Sequence, residues 1–171
     1  MASLMEELIS TLTEEEELYR ELIPVSEEKT KAIVANDLDE LQAITEREQV
    51  MVDRVGVLEK KRLETVQNIG IVLNRNPDTL TLSAIVDMLK KQPEEQKKLR
   101  EIHDKLRATT GRLKDINSQN KSLIGEALEM IEFNMNVLRS TRMSSGSSNY
   151  TRNASQTDTP EAGPGMFDAK Q

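Results

Sequence analysis

The strongest constraint on what this chain can fold into lies in its second half. There Leu99, Ile102, Leu106, Thr109, Leu113, Ile116, Asn120, Leu123, Ala127, Met130, Asn134 and Val137 follow one another in unbroken steps of three and four residues. That is the spacing of a helix–helix seam, and it commits the stretch to one long helix. A second apolar stripe, Ile124, Leu128, Ile131, Met135 and Leu138, starts one residue later, about 100° around the same helix. A helix packed on one side needs only one stripe. The second must be covered by another part of the chain, such as a short helix folding back, or by another protein.

Composition agrees with long helices. The chain has 171 residues, of which 31% are charged and 2% aromatic, with no tryptophan and no cysteine. With so many charges and so few aromatics, this is the composition of long helices rather than of sandwiches, barrels or doubly wound sheets. Without cysteine there is no disulfide framework and no thiolate ligand or nucleophile, which fits a reducing compartment, the cytoplasm by default. No apolar run approaches the roughly 20 residues that span a bilayer. The amino terminus, Met1 to Glu7, has neither the basic nor the apolar region of a secretion signal. Charge is uneven: residues 1–74 hold 17 acidic and 8 basic side chains, residues 75–142 hold 10 and 13. Two complementary sides of one bundle would show this pattern, and the overall acidity argues against nucleic-acid binding.

Local signals place the other elements. Ser3 with Glu6 forms a capping box, so a first helix should start there, carrying Leu4, Leu8, Leu12, Leu18, Leu22, Val25 and Ile33. Glu14 to Glu17 reads as a solvated acidic run, and Pro24 should bend the helix. Asn36-Asp37 marks a tight reversal, with Asp37 and Glu40 repeating the capping pattern. A second helix follows with Leu38, Leu41, Thr45, Glu48, Val52, Val55, Arg62, Val66, Ile69 and Leu73 on or near one seam, ending at Asn74 to Pro77. Thr79 to Lys91 reads as a short helix opened by Thr81 or Ser83 and burying Leu82, Ile85, Val86 and Leu89, and Pro93 opens the long final helix. The expected fold is all-α, an antiparallel bundle of three long helices plus one short helix over residues 3–142. Residues 143–171, rich in Ser, Asn, Thr, Gly and Pro, form an expected disordered tail. Within that tail Tyr150 and the Met166-Phe167 pair are short docking candidates.

Enzyme signatures are missing. The single histidine, His103, sits among charged residues as a surface side chain, and Arg100 rather than glutamate stands three residues before it, so no di-iron motif exists. Gly56, Gly70, Gly111 and Gly125 stand singly within helical pattern and build no phosphate loop, although Gly125, beside the second stripe, would let another helix approach. Glu14 to Glu17 fan around the helix axis and cannot converge on one metal ion. The expectation is a protein without catalysis, metal or cofactor. Asn120 and Asn134, at seam positions, either fix register through buried hydrogen bonds or sit at a wet edge of the bundle.

Three motifs carry a family likeness: Asn36-Asp37-Leu38-Asp39-Glu40-Leu41, Leu58-Glu59-Lys60-Lys61-Arg62, and Asn117-Ser118-Gln119-Asn120-Lys121-Ser122-Leu123-Ile124 with Leu128 following. In this order, over about residues 4 to 140, the chain resembles a flagellar export chaperone of the FlgN type. The resemblance implies a cytoplasmic, helical, non-enzymatic protein. It would bind the carboxy-terminal segments of hook-associated proteins, prevent their premature assembly and deliver them to the flagellar type III export apparatus. Carried onto this chain, client contact falls on Asn120, Leu123, Ile124, Ala127, Leu128, Ile131, Met135 and Leu138, with Tyr150 as a docking point for the export apparatus. No nucleic acid or membrane insertion is implied, and the free protein is expected as a monomer or weak homodimer. The competing reading is a structural coiled-coil module that homodimerises through the same stripe.

Overall fold

The computed structural model of the protein describes residues 2–145, and side chains over residues 3–142. All elements among these residues are helical: α1 (Ala2–Val34), α2 (Leu38–Val72), α3 (Leu82–Met88) and α4 (Pro93–Ser145), with 3₁₀ turns at Pro77–Thr79 and Leu89–Lys91. By its internal contacts the chain divides after Leu128.

Helix ends follow local chemistry. Asn36 adopts a left-handed φ of 56°, its N–H donates to the Ile33 carbonyl at 3.1 Å, and the Asp37 N–H donates to the Ala32 carbonyl at 3.0 Å. These two bonds satisfy carbonyls that the end of α1 would leave open. Asp37 then caps α2, its Oδ1 accepting from the Glu40 N–H at 3.0 Å. The end of α2 repeats the device, with Asn74 at φ 52° and the Arg75 N–H donating to the Gly70 carbonyl at 2.9 Å. Here glycine matters, because a Cβ on Gly70 would lie 3.1 Å from Pro77 Cγ and 3.3 Å from the Arg75 carbonyl oxygen. Thr81 caps α3 through its Oγ1 and the Ala84 N–H, and α4 begins at Pro93 as the sequence predicts. One expectation for α1 changes: the helix already includes Ala2, so Ser3 lies within it and does not cap it. α1 runs without a break through Pro24, whose ring is exposed between buried Ile23 and Ser26.

Cross-helix pairs give the directions. Glu15 with Arg62, Tyr19 with Glu59, Glu28 with Arg47 and Lys29 with Glu48 run in opposite order along α1 and α2. Glu16 with Thr109 and Thr30 with Asn120 run in the same order along α1 and α4. One apolar cluster joins Met5, Leu8 and Leu12 of α1, Ile69 of α2, Ile85 and Val86 of α3, and Leu99, Ile102 and Leu106 of α4. A second joins Leu18, Leu22 and Ile23 to Val55 and Leu113. The short helix thus closes over the first cluster, with Gln96 Nε2 donating to the Val86 carbonyl at 2.8 Å.

Two further expectations are corrected. The first half of the α2 seam is shifted: Ile44 is buried where Leu41 and Thr45 were expected to lead, and Leu38 and Val52 are exposed. Apolar residues occupy both tracks, and the facing surface of α1 selects between them. Glu14 to Glu17 is not a solvated run. Glu15 is fully buried between α1 and α2, with Arg62 Nη1 3.5 Å from its Oε2, while Glu16 is buried against α4, where its Oε1 accepts from Thr109 Oγ1 at 3.0 Å. Four consecutive residues fan around a helix, so a helix held on two sides must turn some of them inward.

Candidate functional site

The helix that carries both stripes is built by ordinary means. Pro93 needs no N–H donor at the first position, and Glu94 and Glu95 in the first turn complement the positive end of the helix dipole. From there Leu99, Ile102, Leu106 and Leu113 are buried, and Asn120 closes this covered stretch. The Asn120 amide is satisfied at both ends: Nδ2 donates to the Ser26 carbonyl at 3.0 Å, and Oδ1 accepts from the Thr30 hydroxyl at 2.6 Å. A buried amide so bonded fixes register and is committed to α1.

Beyond Asn120 the burial falls away. Leu123, Ile124 and Ala127 are half-buried, and Leu128 is 61% exposed. A Cβ on Gly125 would meet nothing within 4 Å, so no neighbour uses that close approach here. In the part of α4 after Leu128, Ile131, Met135 and Leu138 are all exposed, and so are Met130, Asn134 and Val137 of the first stripe. Phe133, on neither stripe, is 66% exposed. The three-four series passes over it by stepping from Met130 to Val137 through Asn134, although Met130, Phe133 and Val137 also stand three and four residues apart. The available signal was its rarity, since the chain has two phenylalanines. On a helical projection these residues cover more than half the circumference of the helix. Of the eight residues singled out from the sequence, one is sequestered, three are intermediate and four are open.

The strongly perturbed titratable groups lie elsewhere. Burial raises the Glu15 carboxyl above its ordinary 4.5, the Arg62 charge opposes this, and Glu59 adds to it. Burial, and then the Glu59 charge and hydrogen bond, push the Tyr19 phenol up to about 12, so it keeps its proton and donates a hydrogen bond to Glu59 Oε1 at 3.1 Å. These groups form a polar layer between the two apolar clusters. His103 is half-buried, with Nδ1 3.2 Å from Asp104 Oδ1. Among the described residues no three metal-ligating side chains converge, and no helix is long and apolar enough to cross a membrane. The chemistry on offer along the open part of α4 is therefore apolar contact, worth roughly 1.5–3 kcal/mol for each Leu, Ile or Met that becomes fully buried. Tyr150 and Met166-Phe167 lie outside the described residues.

Residues 1–158 match the family model FlgN, described as FlgN protein. The uncharacterized protein YvyG of Bacillus subtilis (strain 168) is 30% identical over 121 residues, which is 71% of this chain and 72% of the relative. No solved structure matches the chain.

Proposed function

The chain belongs to the FlgN family of flagellar chaperones, and from that premise we propose that it is a cytoplasmic export chaperone whose α4 receives the carboxy-terminal amphipathic segments of hook-associated proteins. The observation that carries this reading is the set of large apolar side chains left uncovered on one helix, Leu128, Ile131, Met135 and Leu138, with Met130, Phe133 and Val137 beside them. Monomeric soluble proteins rarely keep so contiguous an apolar surface unless a partner uses it. An amphipathic helix laid along it would bury the apolar faces of both, which would also keep the client from assembling early. Leu123, Ile124 and Ala127 extend this surface as half-buried neighbours, while Asn120 supports it by holding α4 against α1. α1, α2 and the covered part of α4 up to Asn120 serve as its base. Tyr150 in the tail is a docking point for the export apparatus, and export undiminished by removal of residues 143–171 would overturn that role.

Calorimetric titration with the carboxy-terminal segments of the hook-associated proteins from the same genome tests the main reading. Saturable one-to-one binding with a negative heat-capacity change is the expected result. Absence of heat with every segment, from protein of native helicity, would overturn it. The same exposed side chains favour self-association as the second reading, and a mass that rises with concentration in sedimentation would select it.

A further inference from the structure

A separate feature sits on the other side of Asn120 from the exposed stripe. Between α1, α2 and α4 the second apolar cluster is open to solvent through a cleft of about 340 Å³. Its floor is Leu22, Val55 and Leu113, and its rim on α2 is Val52, 48% exposed, and Gly56. Gly56 on the rim is exposed, and a Cβ there would meet nothing within 4 Å, so the mouth of the cleft is open. Two observations point to an absent occupant. The Ser26 hydroxyl lines the cleft, is fully buried and has no hydrogen-bond partner among the described residues. The two carboxylates of the cleft differ: Glu48 is closed by Lys29 Nζ at 2.6 Å, whereas Glu59 accepts only the neutral Tyr19 hydroxyl and, among the described residues, has no cation within 4 Å.

We propose that this cleft is a second docking site, which takes one large apolar side chain from an amphipathic helical segment of a partner protein that carries lysine or arginine one turn away. The anchor rests on Leu22, Val55 and Leu113, and the cation pairs with Glu59. A helix suits the site because residues three or four apart share one face, which sets an apolar anchor and a cation side by side along the groove. Charge selects the partner: the half of the chain that supplies α1 and α2 has 17 acidic against 8 basic side chains, which draws in basic segments and repels acidic ones. The site does not depend on the client reading of α4.

Fluorescence titration of the full chain with a labelled alanine-based helical peptide, bearing one phenylalanine with lysines three and four residues from it, tests the proposal. Saturable binding is expected, at least about tenfold weaker when the lysines are replaced by glutamates. Gly56→Leu fills the cleft and should abolish binding without lowering the melting temperature, since leucine is the better helix former. Val52→Asp, on the exposed rim, should do the same should Gly56→Leu disturb the fold. Glu59→Gln should weaken binding several-fold and flatten its salt dependence. Leu128→Asp should leave it unchanged, which keeps failure here distinct from failure of the α4 reading. Absence of binding, binding undiminished in both Gly56→Leu and Val52→Asp, or binding lost in Leu128→Asp would each overturn the proposal.

Discussion

Leu99 to Asn120 and Leu128 to Leu138 are written in the same three-four repeat on the same helix, yet their environments are opposite. The first stretch is roofed by α1, α2 and α3 and ends in an amide bonded to two groups of α1. The second shows its leucines, isoleucine, methionines and phenylalanine to solvent. A repeat of apolar residues therefore states which positions are able to form a seam. Whether the seam is filled depends on what else the chain has available, and α3 is spent on the first apolar cluster.

Identical chemistry at the two stretches should break this comparison or sharpen it. Leu99→Ala empties a fully buried site and should cost about 2–5 kcal/mol in urea denaturation, whereas Met135→Ala, at an exposed site, should stay within about 0.5 kcal/mol. Equal losses would mean that the open stretch is core after all. At the boundary, Asn120→Ala removes both amide bonds to α1, leaving the Thr30 hydroxyl its 3.1 Å bond to the Ser26 carbonyl, and should cost about 1–3 kcal/mol by the same measurement.

Glu15→Gln probes the polar layer of the covered region. The folded-state pKa lies above the ordinary 4.5, so the ionised carboxylate destabilises the fold at neutral pH, and this penalty fades as pH falls through the folded value toward 4.5. The stability of the variant relative to the parent should therefore fall on acidification through that range, in a series of thermal melts of both. A relative stability that rises on acidification would show that Arg62 outweighs burial. The smallest effect on stability belongs to Leu128→Asp, within about 0.5 kcal/mol, together with loss of client binding in the titration described above. Unfolding of this variant would return the second stripe to the interior.

Much of the scaffold was legible because its signals are local. Asp37 caps α2, Thr81 caps α3 and Pro93 opens α4, each through groups within three or four residues of one another. The reversals at Asn36 and Asn74 belong to the same class, since asparagine tolerates the left-handed backbone they require. The second stripe of α4 was legible as surplus: Ile124 is half-buried, and Leu128, Ile131, Met135 and Leu138 are exposed. Three things were not legible. The α2 seam could follow Leu41 and Val52 or Ile44 and Met51, and periodicity does not separate tracks one residue apart. Glu15 and Glu16 gave no sign of burial, because their partners, Arg62 and Thr109, lie 47 and 93 residues away. Phe133 stands three residues after Met130 and four before Val137, so spacing does not choose between it and Asn134 for that step of the series.

By itself the sequence determined that the described residues are helical, where α2, α3 and α4 begin, and which residues are able to pack. Composition, capping groups and the three-four repeat act within a few residues and need no neighbour. Only the tertiary structure decided which of those surfaces are covered: that Ile44 and Glu15 point inward, that Asn120 is locked to α1, and that Leu128 and Phe133 face water. Burial is a property of pairs of surfaces distant along the chain, and a helix carries no record of what lies against it.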